Sequence, residues 1–153
     1  MRSRIGKLVV TIALTATLTG VAPSATSIAA SGAYRDRHAM LHATNDSRSH
    51  HALRRVAIDR ELSRLARQHS LKMANKQSLF HTADPSSVYL KGIKWHYWGE
   101  NVGVTGGTIG DLEAAFMASS PHRHNILNRT FLHVAIGAVR VDGALWVTVF
   151  FYG

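Results

Sequence analysis

Val134-Ala135-Ile136-Gly137-Ala138-Val139-Arg140-Val141, then Asp142-Gly143, then Ala144-Leu145-Trp146-Val147-Thr148-Val149-Phe150-Phe151-Tyr152 closes the chain. Two runs rich in Val, Phe and Trp are joined by Asp-Gly. That pair is a strong hairpin signal, because the tightest hairpin turn needs positive φ at both central residues. Neither run alternates cleanly between apolar and polar. In the second, Leu145, Val147, Val149 and Phe151 point one way, and Trp146, Thr148, Phe150 and Tyr152 the other. Both faces therefore need cover, which places helices on both sides of the sheet. The fold class expected is α+β: a three-layer α/β/α sandwich with a small antiparallel sheet built on this C-terminal hairpin.

The covering helices are read upstream. Ala33 to about Ser49 carries Met40 and Leu41 among polar residues and ends in the polar run Thr44-Asn45-Asp46-Ser47-Arg48-Ser49. A clearer helix starts at Asp59, whose carboxylate can cap it. Leu62, Leu65, Ala66, His69 and Met73 then recur at helical spacing as far as Asn75 or Lys76. His81 is placed at the end of this element. Asp84-Pro85 is a helix-start signal, and Gly92 a stop, so about two turns fit between them. The four glycines between Gly103 and Gly110 predict a loop. Thr108 with Asp111 resembles a capping box, and Ile109, Leu112, Ala115 and Phe116 line one face of a helix ending near Ser119.

The chain has 153 residues and a formal charge of +9, with ten histidines and no cysteine. Its first thirty residues have the layout of a secretory leader: Arg2, Arg4 and Lys7, the apolar run Leu8 to Leu18, then Pro23 and small residues to Ser31. A membrane anchor is the competing reading, but the run is shorter than the roughly 20 residues that span a bilayer. The expected organisation is residues 1–30 as signal peptide, cut between Ser27 and Ser31, residues 31–37 as a loose N-terminus, and 38–153 as the domain. A small exported domain without disulfides must rely on apolar burial, and the 46% apolar content permits it. Removing Arg2, Arg4 and Lys7 leaves +6, which suits solubility or contact with anionic surfaces.

Several chemistries are excluded or disfavoured. There is no thiol nucleophile. Ser119 and Ser120 lie near His122 but without the Gly-x-Ser-x-Gly elbow. No His-Glu-x-x-His helix and no phosphate-binding glycine loop is present. The modest charge and the leader argue against nucleic acid. Trp95, Tyr97 and Trp98 are read as core packing, with the rim of a sugar or lipid groove as the alternative. His69 is read as a core histidine, His50-His51 as solvated, and Arg123 as a structural ion-pair partner.

Four segments together resemble the CAP superfamily of cysteine-rich secretory, antigen 5 and pathogenesis-related proteins, in its bacterial SCP-like form. Leu79-Phe80-His81 resembles the family's F-S-H histidine, and Gly99-Glu100-Asn101-Val102 its G-E-N segment. Phe116-Met117-Ala118-Ser119-Ser120-Pro121-His122-Arg123-His124-Asn125-Ile126-Leu127 is similar to W-M-x-S-P-x-H-R-x-N-I-L. Leu145 to Phe150 fits the closing hairpin. The similarity spans about residue 38 to the end. Phe116 stands for the family tryptophan, Pro121 sits one place late, and Ser119 occupies the position of the animal members' second glutamate, so a set of two histidines and two glutamates is incomplete.

The resemblance implies a ligand cleft lined by His81, Glu100, His122 and Asn125. His81, Glu100 and His122 are the metal candidates, since neutral imidazoles and a carboxylate suit zinc or another divalent cation and leave an open position. Glu100 is also a candidate base for water. The structural alternatives are that Glu100 accepts hydrogen bonds from the loop starting at Gly103, that His122 pins the Pro121 turn, and that Asn125 braces it. The function expected is a secreted, non-enzymatic binding module for a small apolar, lipid or cell-envelope ligand. The alternative is a metal-assisted peptidase or cell-wall hydrolase using His81, Glu100 and His122.

Overall fold

The computed structural model describes residues 25–153, with side chains from residue 31. Most of the expected leader lies outside the described residues. Helix α1 runs from Ala25–His50 and includes residues 31–37, the stretch expected to be a loose N-terminus. A two-residue strand β1 (Ala57–Ile58) precedes α2 (Arg60–Lys76), then come α3 (Pro85–Tyr89), β2 (Trp98–Thr105), α4 (Ile109–Ala118), α5 (Ser120–Ile126), β3 (His133–Val141) and β4 (Ala144–Tyr152). Among the described residues no helix is long and apolar enough to cross a membrane.

Local signals explain most boundaries. Asp59 caps α2 by accepting from the Leu62 amide at 2.9 Å. Gln77 ends it in the left-handed region at φ 49°, so His81 lies in the irregular segment beyond the helix rather than at its end. Thr108 and Asp111 complete a reciprocal capping box at α4. Asp142 and Gly143 both have positive φ, 49° and 78°, the backbone a two-residue hairpin turn demands.

The sheet order is β1-β3-β4-β2, antiparallel except for the short β1–β3 pair. Leu145, Val147, Val149 and Phe151 pack with Met40 of α1, Leu112 and Phe116 of α4 and Ile126 of α5. On the opposite face, Phe150 and Tyr152 meet Leu62, Ala66 and Tyr89, and Trp146 meets Met73 and Ala74. The three-layer α/β/α sandwich follows, with α2 and α3 on one face and α1, α4 and α5 on the other. Gly137 of β3 lets α2 approach closely: a Cβ there would stand 2.1 Å from the Ala66 carbonyl carbon.

The loop expected between Gly103 and Gly110 is confined to residues 106–108, between β2 and α4. β2 continues to Thr105, and its glycines serve close packing. A Cβ at Gly103 would meet Leu112 and Phe116 side chains at 2.8 and 2.9 Å.

The polar run at the end of α1 turns half of its side chains into the interior. Thr44, Asn45 and Arg48 are buried. Arg48 donates from Nε to the Arg54 carbonyl and from Nη1 to those of Ile126 and Asn128, each at 2.8 Å, and from Nη2 to Phe131 at 3.2 Å. Burial lowers the Arg48 pKa from its ordinary value. A guanidinium starts high enough to stay charged, and it sits at the C-terminal end of α5, where the helix dipole favours a cation.

Candidate functional site

β2 is an edge strand, and side chains on a strand alternate between its faces. Trp98, Glu100 and Val102 point toward the α2 side, while Gly99, Asn101 and Gly103 point toward α4 and α5. Gly-Glu-Asn therefore sends consecutive side chains to opposite faces of the sheet. Gly99 makes room for Asn125, whose Oδ1 would stand 2.5 Å from an added Cβ. Asn101 is fully buried and donates to the His122 carbonyl at 3.0 Å. Asn125 donates to the Asn101 side-chain oxygen at 2.9 Å and to the Glu100 carbonyl at 3.3 Å. Asn125 thus braces β2 against α5 rather than the Pro121 turn.

On the other face the Glu100 side chain is 2% exposed. Oε1 accepts from the Thr82 amide and faces His81 Nδ1, both at 2.9 Å, and Oε2 accepts from Thr82 Oγ1 at 2.7 Å. The donors come from the His81–Thr82 segment, not from the loop after Gly103. His81 itself is 60% exposed, so its ring is anchored at one nitrogen and open to solvent elsewhere. Beneath Thr82, Tyr89 is buried with its hydroxyl lacking a completed hydrogen bond. Burial raises its pKa and the Glu100 charge adds to this, while Thr82 partly offsets it. Tyr89 stacks on Phe150 with ring centroids 4.2 Å apart, which fixes the floor under Glu100.

His122 is carried by α5, a short helix where a turn was expected. Its ring lies 4.9 Å from Phe116, so the residue in the family tryptophan's place supports the imidazole. Burial lowers the His122 pKa, and nearby His81 lowers it further. His122 is therefore neutral near pH 7, and the two histidines approach each other around the edge of β2.

The four expected site residues are brought to this one edge. Among the described residues, however, no three His, Asp or Glu side chains form a group able to hold a metal ion. Glu100 stands behind His81, as carboxylates do behind ligating histidines, and is not aimed at a shared centre with both imidazoles. Thr82, Tyr89 and Asn101 were missed from sequence. Thr82 was detectable only as the hydroxyl next to His81.

Other expectations resolve here. Trp95, Tyr97 and Trp98 are exposed, which corrects the core assignment; Trp98 alone stacks loosely on Phe150, at 6.1 Å. The backbone amides of His96 and Tyr97 are held by the Gly153 carbonyl at 2.8 and 3.1 Å. His69 is a core histidine bonded to the Phe80 carbonyl at 2.8 Å. Arg123 contacts His51 Nε2 at 3.0 Å, a histidine where an acid was expected.

A sandwich whose edge strand carries Gly-Glu-Asn between two histidine-bearing segments defines a class of secretory-protein domain. The cysteine-rich secretory protein (CAP) family model matches residues 41–151, and the chain belongs to that family, on its bacterial branch. The uncharacterized protein YkwD of Bacillus subtilis is 33% identical over 112 residues, covering 70% of this chain and 43% of that protein. An extracellular SCP-domain protein of Bacillus anthracis superposes with TM-score 0.71 at 22% identity, over 86% of this chain and 45% of the other. An outer surface protein of Borrelia burgdorferi superposes with TM-score 0.69 at 17% identity, over 77% and 92%. The chain thus spans less than half of the two Bacillus proteins.

Proposed function

We propose that this chain is a secreted binding module whose cleft lies over the edge of β2, between the His81–Thr82 segment and α5. One observation carries the reading: both Glu100 oxygens are engaged by donors from His81 and Thr82. A carboxylate so held orients a histidine and is poorly placed to take a proton from water. The ligand class proposed is a small apolar or cell-envelope molecule, with the exposed Trp95, Tyr97 and Trp98 available as an apolar rim. The chain's positive charge suits an anionic envelope.

A divalent cation fits this cleft only in part. His81 bonds through Nδ1, which leaves Nε2 as its ligand nitrogen, and His122 is neutral as a ligand must be. Two imidazoles fall short of the three protein ligands of a typical open zinc site, so a cation here would need a donor from the ligand itself.

The test incubates the protein with envelope lipid extract and with muropeptides, re-isolates it, and identifies retained molecules by mass spectrometry. The ring resonances of His81 and His122 are followed during the same additions and during a zinc titration. Retained, uncleaved ligand that shifts both rings and is lost in His122→Ala is the expected result. Cleavage products that vanish in Glu100→Gln would overturn the binding reading in favour of the hydrolase.

A further inference from the structure

A second group of histidines lies on α1, on the far side of the fold from His81. His38 and His42 are four residues apart in a helix of 26 residues. Residues so spaced stand one above the other on a single face, with Cβ atoms roughly 5–6 Å apart. That spacing brings two imidazoles within reach of one ion, as in helical zinc motifs with histidines at i and i+4. His38 and His42 share the lining of one open hollow with Tyr34, Arg35 and Ala39. The His42 side chain is 65% exposed, so an ion could enter from solvent.

The next turn supplies the supporting group. Asp46 Oδ2 lies 2.9 Å from His42 Nδ1. A carboxylate on that nitrogen fixes the tautomer in which Nε2 carries a free lone pair, as behind many ligating histidines. Arg55 is 3.7 Å from the other Asp46 oxygen, and Asp36 is taken by Arg140 at 2.9 Å. Arg35, at the edge of the hollow, is the positive charge that opposes an incoming cation. The site therefore offers two nitrogen ligands and one carboxylate behind them, consistent with the lack of any three-ligand group among the described residues.

We propose that His38 and His42 form a surface chelate for a divalent transition metal, with Asp46 as positioning residue. Two imidazoles with water completing the shell favour copper(II) over nickel and zinc, following the usual affinity order for divalent metals. The site is independent of the cleft at β2.

The test is a copper(II) chloride titration of the full chain near pH 7.5, followed by calorimetry and by electron paramagnetic resonance. Copper is expected to show coupling to two equatorial nitrogens. His38→Ala and His42→Ala should each weaken this site at least tenfold, while Asp46→Asn should weaken it by roughly 10-fold, the low end for a supporting carboxylate. The double variant His81→Ala/His122→Ala should keep the two-nitrogen signal. Spacing is checked by rescue. His38→Ala with Asp46→His restores an i, i+4 pair one turn further on and should recover the signal, whereas His42→Ala with Ala39→His sets the imidazoles one residue apart and should not. His38, Ala39, His42 and His81 are exposed and Asp46 and His122 half-buried, and far-UV circular dichroism verifies folding. Unchanged affinity and spectrum in both His38→Ala and His42→Ala, or loss of the signal in the cleft variant alone, would refute the chelate.

Discussion

Replacing Arg48 with methionine keeps the apolar length of the side chain and removes five donors at once. Arg48 is fully buried and joins four backbone carbonyls from two separate stretches of chain, Arg54 and the segment from Ile126 to Phe131. Hydrogen bonds to a charged group contribute about 1.5–3 kcal/mol each, so four give roughly 6–12 kcal/mol gross. Against this stands the desolvation of the guanidinium, which costs several kcal/mol and is relieved in the variant. The net loss expected is about 3–5 kcal/mol, the range for breaking a buried charged arrangement from one side. A domain stable by about 5–15 kcal/mol would survive this narrowly. With an m-value of about 2 kcal/mol/M, the urea midpoint should fall by about 2 M. Arg48→Lys should lie between the two, because three donors on a point charge cannot span four carbonyls. Hydrogen exchange should quicken first at the α5 amides and at Asn128 to Phe131. A loss for Arg48→Met below about 1 kcal/mol, the worth of one ordinary hydrogen bond, would show that the guanidinium does not clamp α5.

Two further outcomes follow from the packing. Burial raises the Glu113 pKa above the usual carboxylate value, with Ser47 and Thr44 as its hydrogen-bond donors. The folded state then holds the proton more tightly than the unfolded chain, so stability falls as pH rises from the unfolded pKa through the folded one; Glu113→Gln should flatten that part of a urea-midpoint-versus-pH profile and leave stability at pH 7 unchanged or higher. Gly137→Ala drives a methyl group into the α2 backbone at Ala66 and Arg67. It should cost more than about 3 kcal/mol, above the usual overpacking range because backbone cannot step aside, and a thermal melt within a few degrees of wild type would contradict it.

What could be read from the sequence was what is decided locally. The hairpin, the Asp59 cap and the Thr108–Asp111 box depend on residues a few positions apart, and each stands where the residues imply. The strand β2 was hidden because glycine disfavours strands in general. Gly99 and Gly103 are there for neighbours over ten residues away, Asn125 and Phe116, and no local rule reveals that. Polarity misled in both directions. Arg48 and Thr44 are buried although they belong to the polar run that ends α1, and Trp95 and Tyr97 are exposed where aromatics suggest a core. The site residues were found through their family resemblance. Their grouping is visible in the fold, but their division between two faces was not legible, because it depends on where β2 begins and on its place at the sheet edge.

That division has a mechanical consequence. Glu100 holds the His81 segment on one face of β2, and Asn101 with Asn125 holds the His122 segment on the other. The two imidazoles are thus mounted on separate supports that share only the strand. Arg48 fixes the α5 support through Ile126, while Thr82 fixes the His81 support through Glu100. Loosening either support displaces one wall and leaves the other in register. On the proposed reading, a ligand that touches both histidines bridges the sheet edge, between two walls that the fold stabilises independently.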